Sequence, residues 1–513
     1  MRNFSVIFFV FALLFLVSCK NSVRHADDSF VSDDEEIMGD TDEADDSDDS
    51  DSLDISEEHL FNLKVEENRH NSLSCRLTFS TKDEIKTFVK YYSPNHSGYK
   101  TAEKEAKNEH SFLLWGMREN LNYKIEVYSD EENPKLLGTA EFHSGFAPDY
   151  LPVMYLGEHD AEKTESGFVL FQYAATTFDH IFPVAVMVDN GGYVVWYYEY
   201  DAWYASSFGD VSWNPENQTI LIGLTKDSSA ADSSAEEAIK IDLEGNILWE
   251  SPGIRSYYYG PESWNHAYYM MKDGSVTFPR VIYDGCVVTD IIVNLDADSY
   301  GELWSWDYRD YFEKPDCAAN TSGDYYIDWT HTNSVTMYKE DGIAYVNSRN
   351  FSTFFKIDMA TGGILWRLGK DGDFSFVGEN EHPWFELAHD PEINGLNGNK
   401  IIFYDNGTFE RGFTRIVEYT IDEEAMTAEI SFEFDGFRLG KSWWSEYWGD
   451  ADRLENGNIF VTAGFYDMQQ ISRFFEVTPD GEIVWEFFFE KADDWQVSLY
   501  KADKFVPPLE FLK

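Results

Sequence analysis

One recurring turn-and-tryptophan pattern constrains this chain more than any other feature. Short apolar runs close on Gly-X-apolar-apolar-Trp at Gly192 to Trp196, Gly245 to Trp249 and Gly481 to Trp485, with a slightly shortened form at Gly363 to Trp366. Trp304 after Gly301 is a variant, and Phe434 is a weaker equivalent. The copies recur every roughly 50 to 70 residues, a length that suits a four-stranded antiparallel unit with generous loops, and about six units fit. Within them, strands such as Lys356-Ile357-Asp358 and Ile401-Ile402-Phe403-Tyr404 are split by turn dipeptides, and helix-length apolar periodicity is largely absent. An aromatic content of 17%, with many β-branched residues, fits packed sheets better than helical bundles. The pattern predicts an all-β fold whose units are the blades of a six-bladed β-propeller. An array of β-sandwiches does not usually repeat the turn and the closing Trp together.

Three histidines fall at matching places in successive units, each just upstream of a Gly-containing turn. They are His266 before Asp273-Gly274, His331 before Asp341-Gly342 and His389 before Asn397-Gly398. Equivalent positions of a repeat occupy equivalent places in space, so blades around an axis can bring all three imidazoles to one site. A single His near a turn is more often a structural hydrogen-bonding group; three at one repeat position, with Arg349 on the following strand, argue for a site. Three histidines could also bind zinc, but a guanidinium in the same channel repels a metal, so no metal is expected. His159, His180 and His382 fall off the repeated position and read as structural or surface groups.

The N-terminus has a different composition. Arg2 precedes an apolar run from Val6 to Val17, too short for a membrane span of roughly 20 residues, which ends in Leu16-Val17-Ser18-Cys19. Residues 1–18 read as a secretory signal, and the tetrad resembles the bacterial lipobox, in which the Cys becomes the lipidated first residue. Lys20 after it weakly favours an outer-membrane address, so the expected location is the bacterial cell envelope, periplasmic or surface-exposed. Between Asp27 and Glu58 lie 17 Asp and Glu residues, and residues 19–56 read as an extended acidic tether that cannot bury enough apolar surface to order itself. The net charge of −55 disfavours nucleic acid and anionic lipid surfaces as partners, and an anionic substrate would need a local positive pocket. Residues 57–146 form a separate unit about the size of one sandwich domain; Leu121-Asn122-Tyr123 before Lys124 to Val127 looks like the tyrosine corner of a fibronectin type III-like sandwich. Residues 147–513 are left for the propeller. Of four cysteines, Cys286 and Cys317 are expected to pair, with Cys75 left as an alternative partner.

His389-Asp390, followed by Asn397-Gly398-Asn399-Lys400 and Phe403-Tyr404-Asp405-Asn406-Gly407, resembles the signature of the bacterial arylsulfate sulfotransferases. So does Asp328-Trp329-Thr330-His331-Thr332-Asn333-Ser334 with Asn347-Ser348-Arg349-Asn350 and Lys356-Ile357-Asp358. The resemblance runs from Gly167 to about Ala502 and implies a six-bladed propeller preceded by a β-sandwich. It implies transfer of a sulfuryl group from a phenolic sulfate ester to a phenol, without a nucleotide (PAPS) donor or any other cofactor. It makes His389 the nucleophile, transiently sulfated in a ping-pong sequence, with His266, His331 and Arg349 as catalytic groups and Asn333 as a substrate-binding donor. The surroundings of His389, Glu386-Leu387-Ala388, and the Cys pair depart from the family pattern, and the aromatic positions lining the acceptor site do not match securely.

These residue types suit the chemistry. Arg349 is planar and always protonated, and can hold two sulfuryl oxygens. His266 and His331 can donate to the remaining oxygens or protonate the leaving phenolate, and Asn333 can add a neutral donor. A neutral His389 nitrogen can attack sulfur and divide one hard displacement into two. Asp390 is adjacent in sequence but should point to the opposite face of its strand, which makes it a weak candidate for orienting His389. Trp443 and Trp444 read as blade packing, with a phenol-stacking wall as the alternative. Two other functions compete: a quinoprotein-like propeller, from Asp358 to Trp366, and a non-catalytic envelope propeller that scaffolds proteins or binds a ligand. Hydrolysis of the ester, the physiological donor and acceptor, and the oligomeric state are left open by the sequence.

Overall fold

The computed structural model describes residues 60–512 apart from 104, 177–180, 201–206, 226–233, 236, 252–263, 267, 318–325, 395–397, 441, 467–470 and 490–498. The expected signal segment, Cys19, the acidic tether, His180 and Asn397 lie outside the described residues. Among those described, regular structure is β-strand with short 3-10 turns and no α-helix.

Six sheets follow one another, each built on a four-stranded antiparallel meander. The first contains Phe168–Thr176, Ile181–Asp189 and Val194–Glu199 and takes the late strand Ala502–Phe505 onto Phe168–Thr176. The second contains Ser207–Asn214, Thr219–Thr225, Glu237–Asp242 and Ile247–Glu250. In the third, Val276–Asp284, Val287–Leu295 and Glu302–Asp307 are preceded by short pieces at Trp264–Asn265 and Tyr269–Met270. The fourth is Thr332–Tyr338, Ile343–Ser348, Thr353–Asp358 and Ile364–Leu368; the fifth is His389–Asn394, Lys400–Asp405, Arg415–Asp422 and Thr427–Phe434. The sixth, Asp450–Arg453, Ile459–Tyr466, Ile471–Val477 and Ile483–Phe489, takes Met154–His159 as its outer edge. Strands on the first-strand side touch in turn: Ala502–Phe505 meets Ser207–Asn214, Val276–Asp284 meets Thr332–Tyr338, and that strand meets His389–Asn394. His389–Asn394 then meets Asp450–Arg453, which meets Ala502–Phe505 again.

The repeated tryptophan has a geometric cause. In every sheet the pairing of the last two strands slips by one residue at the same place, a β-bulge that bends the outer strand. The pair just before the slip is Met187/Trp196, Lys240/Trp249, Asn294/Trp304, Lys356/Trp366, Glu418/Phe432 and Glu476/Trp485. Phe432, not Phe434, therefore fills the tryptophan register of the fifth sheet. The turn residue four positions before each Trp has positive φ: Gly192, Gly245, Gly362 and Gly481 at 73 to 87°, and Tyr300 at 56°. Gly301 and Gly363, expected to make two of these turns, come one position too late.

Four of these indoles donate Nε1–H to a turn carbonyl of the following sheet. Trp196 reaches Leu243 at 2.9 Å, Trp249 reaches Ala297 at 3.1 Å, Trp304 reaches Met359 at 2.9 Å, and Trp485 reaches Asn190, back in the first sheet, at 2.8 Å. Each Trp thus joins neighbouring sheets by apolar burial and by one directed bond.

Before this array, Leu60–Glu67, Cys75–Ile85 and Lys107–Leu114 form a three-stranded sheet. It packs on a five-stranded sheet ordered Glu510–Phe511, His96–Ala102, Thr87–Ser93, Asn122–Ser129 and Leu136–His143, so the chain ends by pairing with this N-terminal part. One apolar cluster joins Leu77, Val89 and Ile125 between these sheets to Phe168 and Trp196 of the first large sheet. The Tyr123 hydroxyl accepts the Arg118 backbone N–H at 2.8 Å, an upstream tie of the kind a tyrosine corner makes, and shares a 2.6 Å hydrogen bond with His96 Nδ1.

Cys286 and Cys317 are joined by a disulfide with Cα atoms 5.7 Å apart, and Cys75 is buried and free. Just beyond the bridge, Ile327–Asp328 pairs in parallel with Val287–Val288, placing the segment that leads to His331 against the third sheet. The bridge closes 31 residues of chain, which corresponds to about 3 to 4 kcal/mol in the chain-entropy treatment. Replacing both cysteines by serine should lower stability by up to that amount in urea denaturation; an unchanged midpoint would contradict it.

Candidate active site

His266, His331 and His389 stand at the starts of the third, fourth and fifth sheets, and the structure brings the three rings together. His331 and His389 directly precede or open the first strand of their sheets, and His266 follows the short strand Trp264–Asn265. The His266 and His331 rings are 5.0 Å apart between centroids, with Nε2 to Nε2 at 2.9 Å, and the His266 and His389 centroids are 6.2 Å apart. Left-handed backbone turns each side chain in: φ is 50° at His266, 45° at His331 and 54° at Leu387, two residues before His389. Residues with a Cβ pay for that conformation, so it persists only where the surroundings hold it.

Buried polar groups do the holding. Beneath His331, Asp290 accepts the Thr332 N–H at 2.7 Å and the Thr330 hydroxyl at 2.8 Å; burial pushes its carboxyl up to about 6. Beneath His389, Asp405 accepts the Glu386 N–H at 2.9 Å and pairs with the buried guanidinium groups of Arg411 and Arg415 at 2.6 and 2.8 Å. Arg415 also donates to the carbonyls of His382 and Trp384, which locks the segment entering the site. Removing one partner from such a cluster leaves a buried charge unpaired, at a cost of roughly 3 to 5 kcal/mol.

His389 is 1% exposed. Its Nδ1 lies 2.7 Å from Oδ1 of Asn406, whose amide nitrogen donates to the carbonyls of Ser445 and Trp448 at 2.8 and 2.9 Å. Those two bonds consume the Asn406 donors, so Oδ1 is left to accept, and the ring proton sits on Nδ1. Nε2 then carries the lone pair. Burial, then the Arg349 charge, drives the His389 pKa well below its ordinary value; the Asn406 bond and the Leu387 carbonyl oppose the shift without reversing it. His266 is likewise driven neutral by burial, with the other two histidines and Arg349 adding to the effect.

Arg349 supplies the positive charge. Its backbone N–H donates to the His331 carbonyl at 3.1 Å, and its guanidinium donates to Asn350 Oδ1 and the Glu446 carbonyl at 3.1 and 3.2 Å. The ring of Tyr447 lies 5.4 Å from its Cζ, and the buried Nε has no partner among the described residues. A buried, unsatisfied guanidinium N–H is costly and suits an anion that completes it.

Other expected positions have different surroundings. Asn333, expected to donate to the substrate, gives its amide to the Ala388 carbonyl at 2.9 Å and accepts from Asn347 at 2.7 Å, so its bonds hold the residue before His389. Asp390 turns away from His389 and pairs with Lys501 at 3.2 Å. Beyond it lie Asp450, Asp452 and Asp503, whose carboxyls burial pushes up, with repulsion adding to the effect, chiefly from Asp452 at Asp450 and from Glu392 at Asp452. Trp443 is buried and donates to the Tyr404 hydroxyl, whereas Trp444 packs edge-on against the exposed Phe409. His382 packs on Phe413, away from the three clustered rings.

Three residues of this site escaped the sequence reading. Asn406 sits inside the motif Asp405-Asn406-Gly407, which by itself assigns it no role. Asp328 receives the His331 Nδ1–H at 2.5 Å, and Tyr500 stacks on His266 at 4.8 Å while donating to the Asn333 carbonyl. Asn406 and Asp328 each lie within a motif that contains a charged or polar neighbour, and nothing local distinguishes them; Tyr500 lies far along the chain and arrives through the closing strand. Nitrogen NMR should show His389 as the neutral Nδ1–H form at pH 6.5, where a solvated imidazole is half protonated. Because its pKa is depressed, protonation should begin only at lower pH. In Asn406→Ala both tautomers should appear; a cationic His389 at pH 6.5 in the wild type would overturn this assignment.

No curated protein matches the sequence. Among solved structures, the chain is similar to a nidogen/laminin complex at 9% identity, over 66% of this chain and 97% of the other, with a TM-score of 0.37. It is also similar to Sqt1 of Saccharomyces cerevisiae at 11% identity, over 77% and 83%, with a TM-score of 0.30. Likenesses this low carry no argument about fold or activity. The profile described as Arylsulfotransferase (ASST), in contrast, matches residues 155–499, which include His266, His331, Arg349, His389 and Asn406. The chain belongs to the arylsulfotransferase family, whose general chemistry is sulfuryl transfer.

Proposed function

We propose that this protein transfers a sulfuryl group from a phenolic sulfate ester to a phenol through a sulfohistidine on His389, in ping-pong order and without a cofactor. The observation that carries the reading is the neutral imidazole of His389, whose Nδ1–H is committed to Asn406, set in a buried cluster with Arg349. Nε2 of His389 attacks sulfur; Arg349 and the neighbouring imidazoles neutralise the sulfuryl oxygens. Asn333 acts from behind, holding Ala388 so that the nucleophile keeps its line of approach.

In this reading the six sheets are the blades of a six-bladed β-propeller, comprising residues 147–513. The recurring bulge, the Trp485 bond back to the first sheet and the succession of touching strands support it. Residues 57–146 form a fibronectin type III-like sandwich, supported by the strand orders of the two small sheets and by the Tyr123 tie. Residues 1–18 are a lipoprotein signal and Cys19 a lipid anchor, which puts the enzyme in the bacterial cell envelope on the acidic tether 19–56, with small phenols and phenolic sulfates as partners.

Incubation with 4-nitrophenyl sulfate and phenol should release 4-nitrophenolate and form phenyl sulfate. Mass spectrometry of the protein trapped with donor alone should find one added sulfuryl group on the peptide containing His389. His389→Ala should lose both signals, by roughly 1,000-fold or more in rate. Turnover that survives this substitution unaltered would end the assignment of the nucleophile.

A further inference from the structure

Two phenolic protons must move in such a reaction, one onto the leaving oxygen and one off the incoming phenol. The candidates within reach differ in what they can do. Arg349 stays protonated at every relevant pH and cannot exchange its proton. His266 has no carboxylate partner among the described residues; it stacks on Tyr500 and meets only another imidazole at Nε2. His389 is occupied as the nucleophile. His331 alone has a carboxylate on one nitrogen, Asp328 at 2.5 Å from Nδ1, with its other nitrogen turned into the cluster.

Asp328 is held in place independently of that bond. Its strand pairs with Val287–Val288, the Trp329 N–H donates to the Val288 carbonyl at 2.9 Å, and Asn350 donates to its own carbonyl at 2.8 Å. Asp328 is exposed on its outer side, and His331, Asn350 and Arg349 outweigh its partial desolvation to hold its carboxyl below the usual carboxylate range. The charged and titratable groups facing His331 are therefore Asp328, Asp290, Arg349, His266 and His389.

We propose that Asp328 is a positioning residue which commits His331 Nδ1 and so makes His331 Nε2 the single proton donor and acceptor of both half-reactions. This rests on the sulfuryl-transfer reading above. In the first half, the His389 Nε2 lone pair forms the N–S bond while the S–O bond to the aryl group breaks. The electron pair of that bond goes to the phenolic oxygen, which takes the proton from Nε2–H of His331 and leaves as phenol. In the second half the acceptor phenol gives its proton to His331 Nε2 as its oxygen bonds to sulfur, and the N–S electron pair returns to His389. His331 ends protonated, as it began.

The test compares two donors on the full chain. 4-Nitrophenyl sulfate expels a stable phenolate and needs little proton assistance; phenyl sulfate expels a basic one and needs more. Asp328→Asn should lower kcat/KM for phenyl sulfate by roughly 100-fold, the size of a general-acid contribution, and for 4-nitrophenyl sulfate by less than about 10-fold. In a His331→Asn background the same substitution should add almost nothing, because its partner is gone. A pre-steady-state burst of 4-nitrophenolate from Asp328→Asn, equal in amount to that of the wild type, is expected and shows fold and nucleophile intact. Equal losses with both donors, or a further full loss in the His331→Asn background, would overturn this role and leave the transfer reading standing. A wild-type protein that transfers no sulfuryl group would overturn both.

Discussion

The hydrogen bond between Asn406 and His389 is the constraint on which the rest of this site depends. A buried neutral imidazole has two tautomers of similar energy, and only one presents a lone pair at Nε2. Asn406 makes the choice because its own donors are already committed to the carbonyls of Ser445 and Trp448. The choice therefore reaches through Asn406 into the loop before the sixth sheet. Thr414 takes part too, donating to the Asn406 carbonyl and accepting the Ser445 N–H. Four stretches of chain thus agree on one proton position.

Electrostatics explains why so much scaffolding is present. The chain carries a net charge of −55, and Asp390, next in the chain to His389, shares one cavity with Asp450, Asp452 and Asp503. An anion would be repelled by such a field unless it were locally reversed. Arg349 performs that reversal on the side of the imidazoles, while Lys501 compensates Asp390, and burial and repulsion keep the remaining carboxyls disposed to hold protons. Burial first, and this same cation second, depress the pKa of His389, so the guanidinium that favours an anion also helps keep that imidazole neutral.

The all-β class and the positions of the repeating units were legible because period-two alternation and left-handed turns are local properties of a few neighbouring residues. The closing tryptophan was also legible, but not its purpose. Its indole bonds a carbonyl in the next sheet some 50 residues away, as Trp196 does with Leu243. Where the sheets depart from that bond the sequence already looked irregular: Trp366 has no partner for its Nε1 among the described residues, and the fifth sheet puts Phe432 in the tryptophan register. Phe434 was the wrong phenylalanine because register depends on a bulge, which no run of side chains announces.

The three histidines, Arg349 and the pairing of Cys286 with Cys317 could be read from the chain, since each is a residue type with few other uses at a repeated or isolated position. Which atoms do the work could not. That Asn333 faces Ala388, that Asp390 belongs to Lys501, and that Asn406, Asp328 and Tyr500 surround the imidazoles are matters of contacts between segments up to hundreds of residues apart. Sequence specifies which side chains exist and with what period they recur. Only the packed sheets decide which of two nitrogens keeps its proton, because that depends on donors and charges brought together by folding.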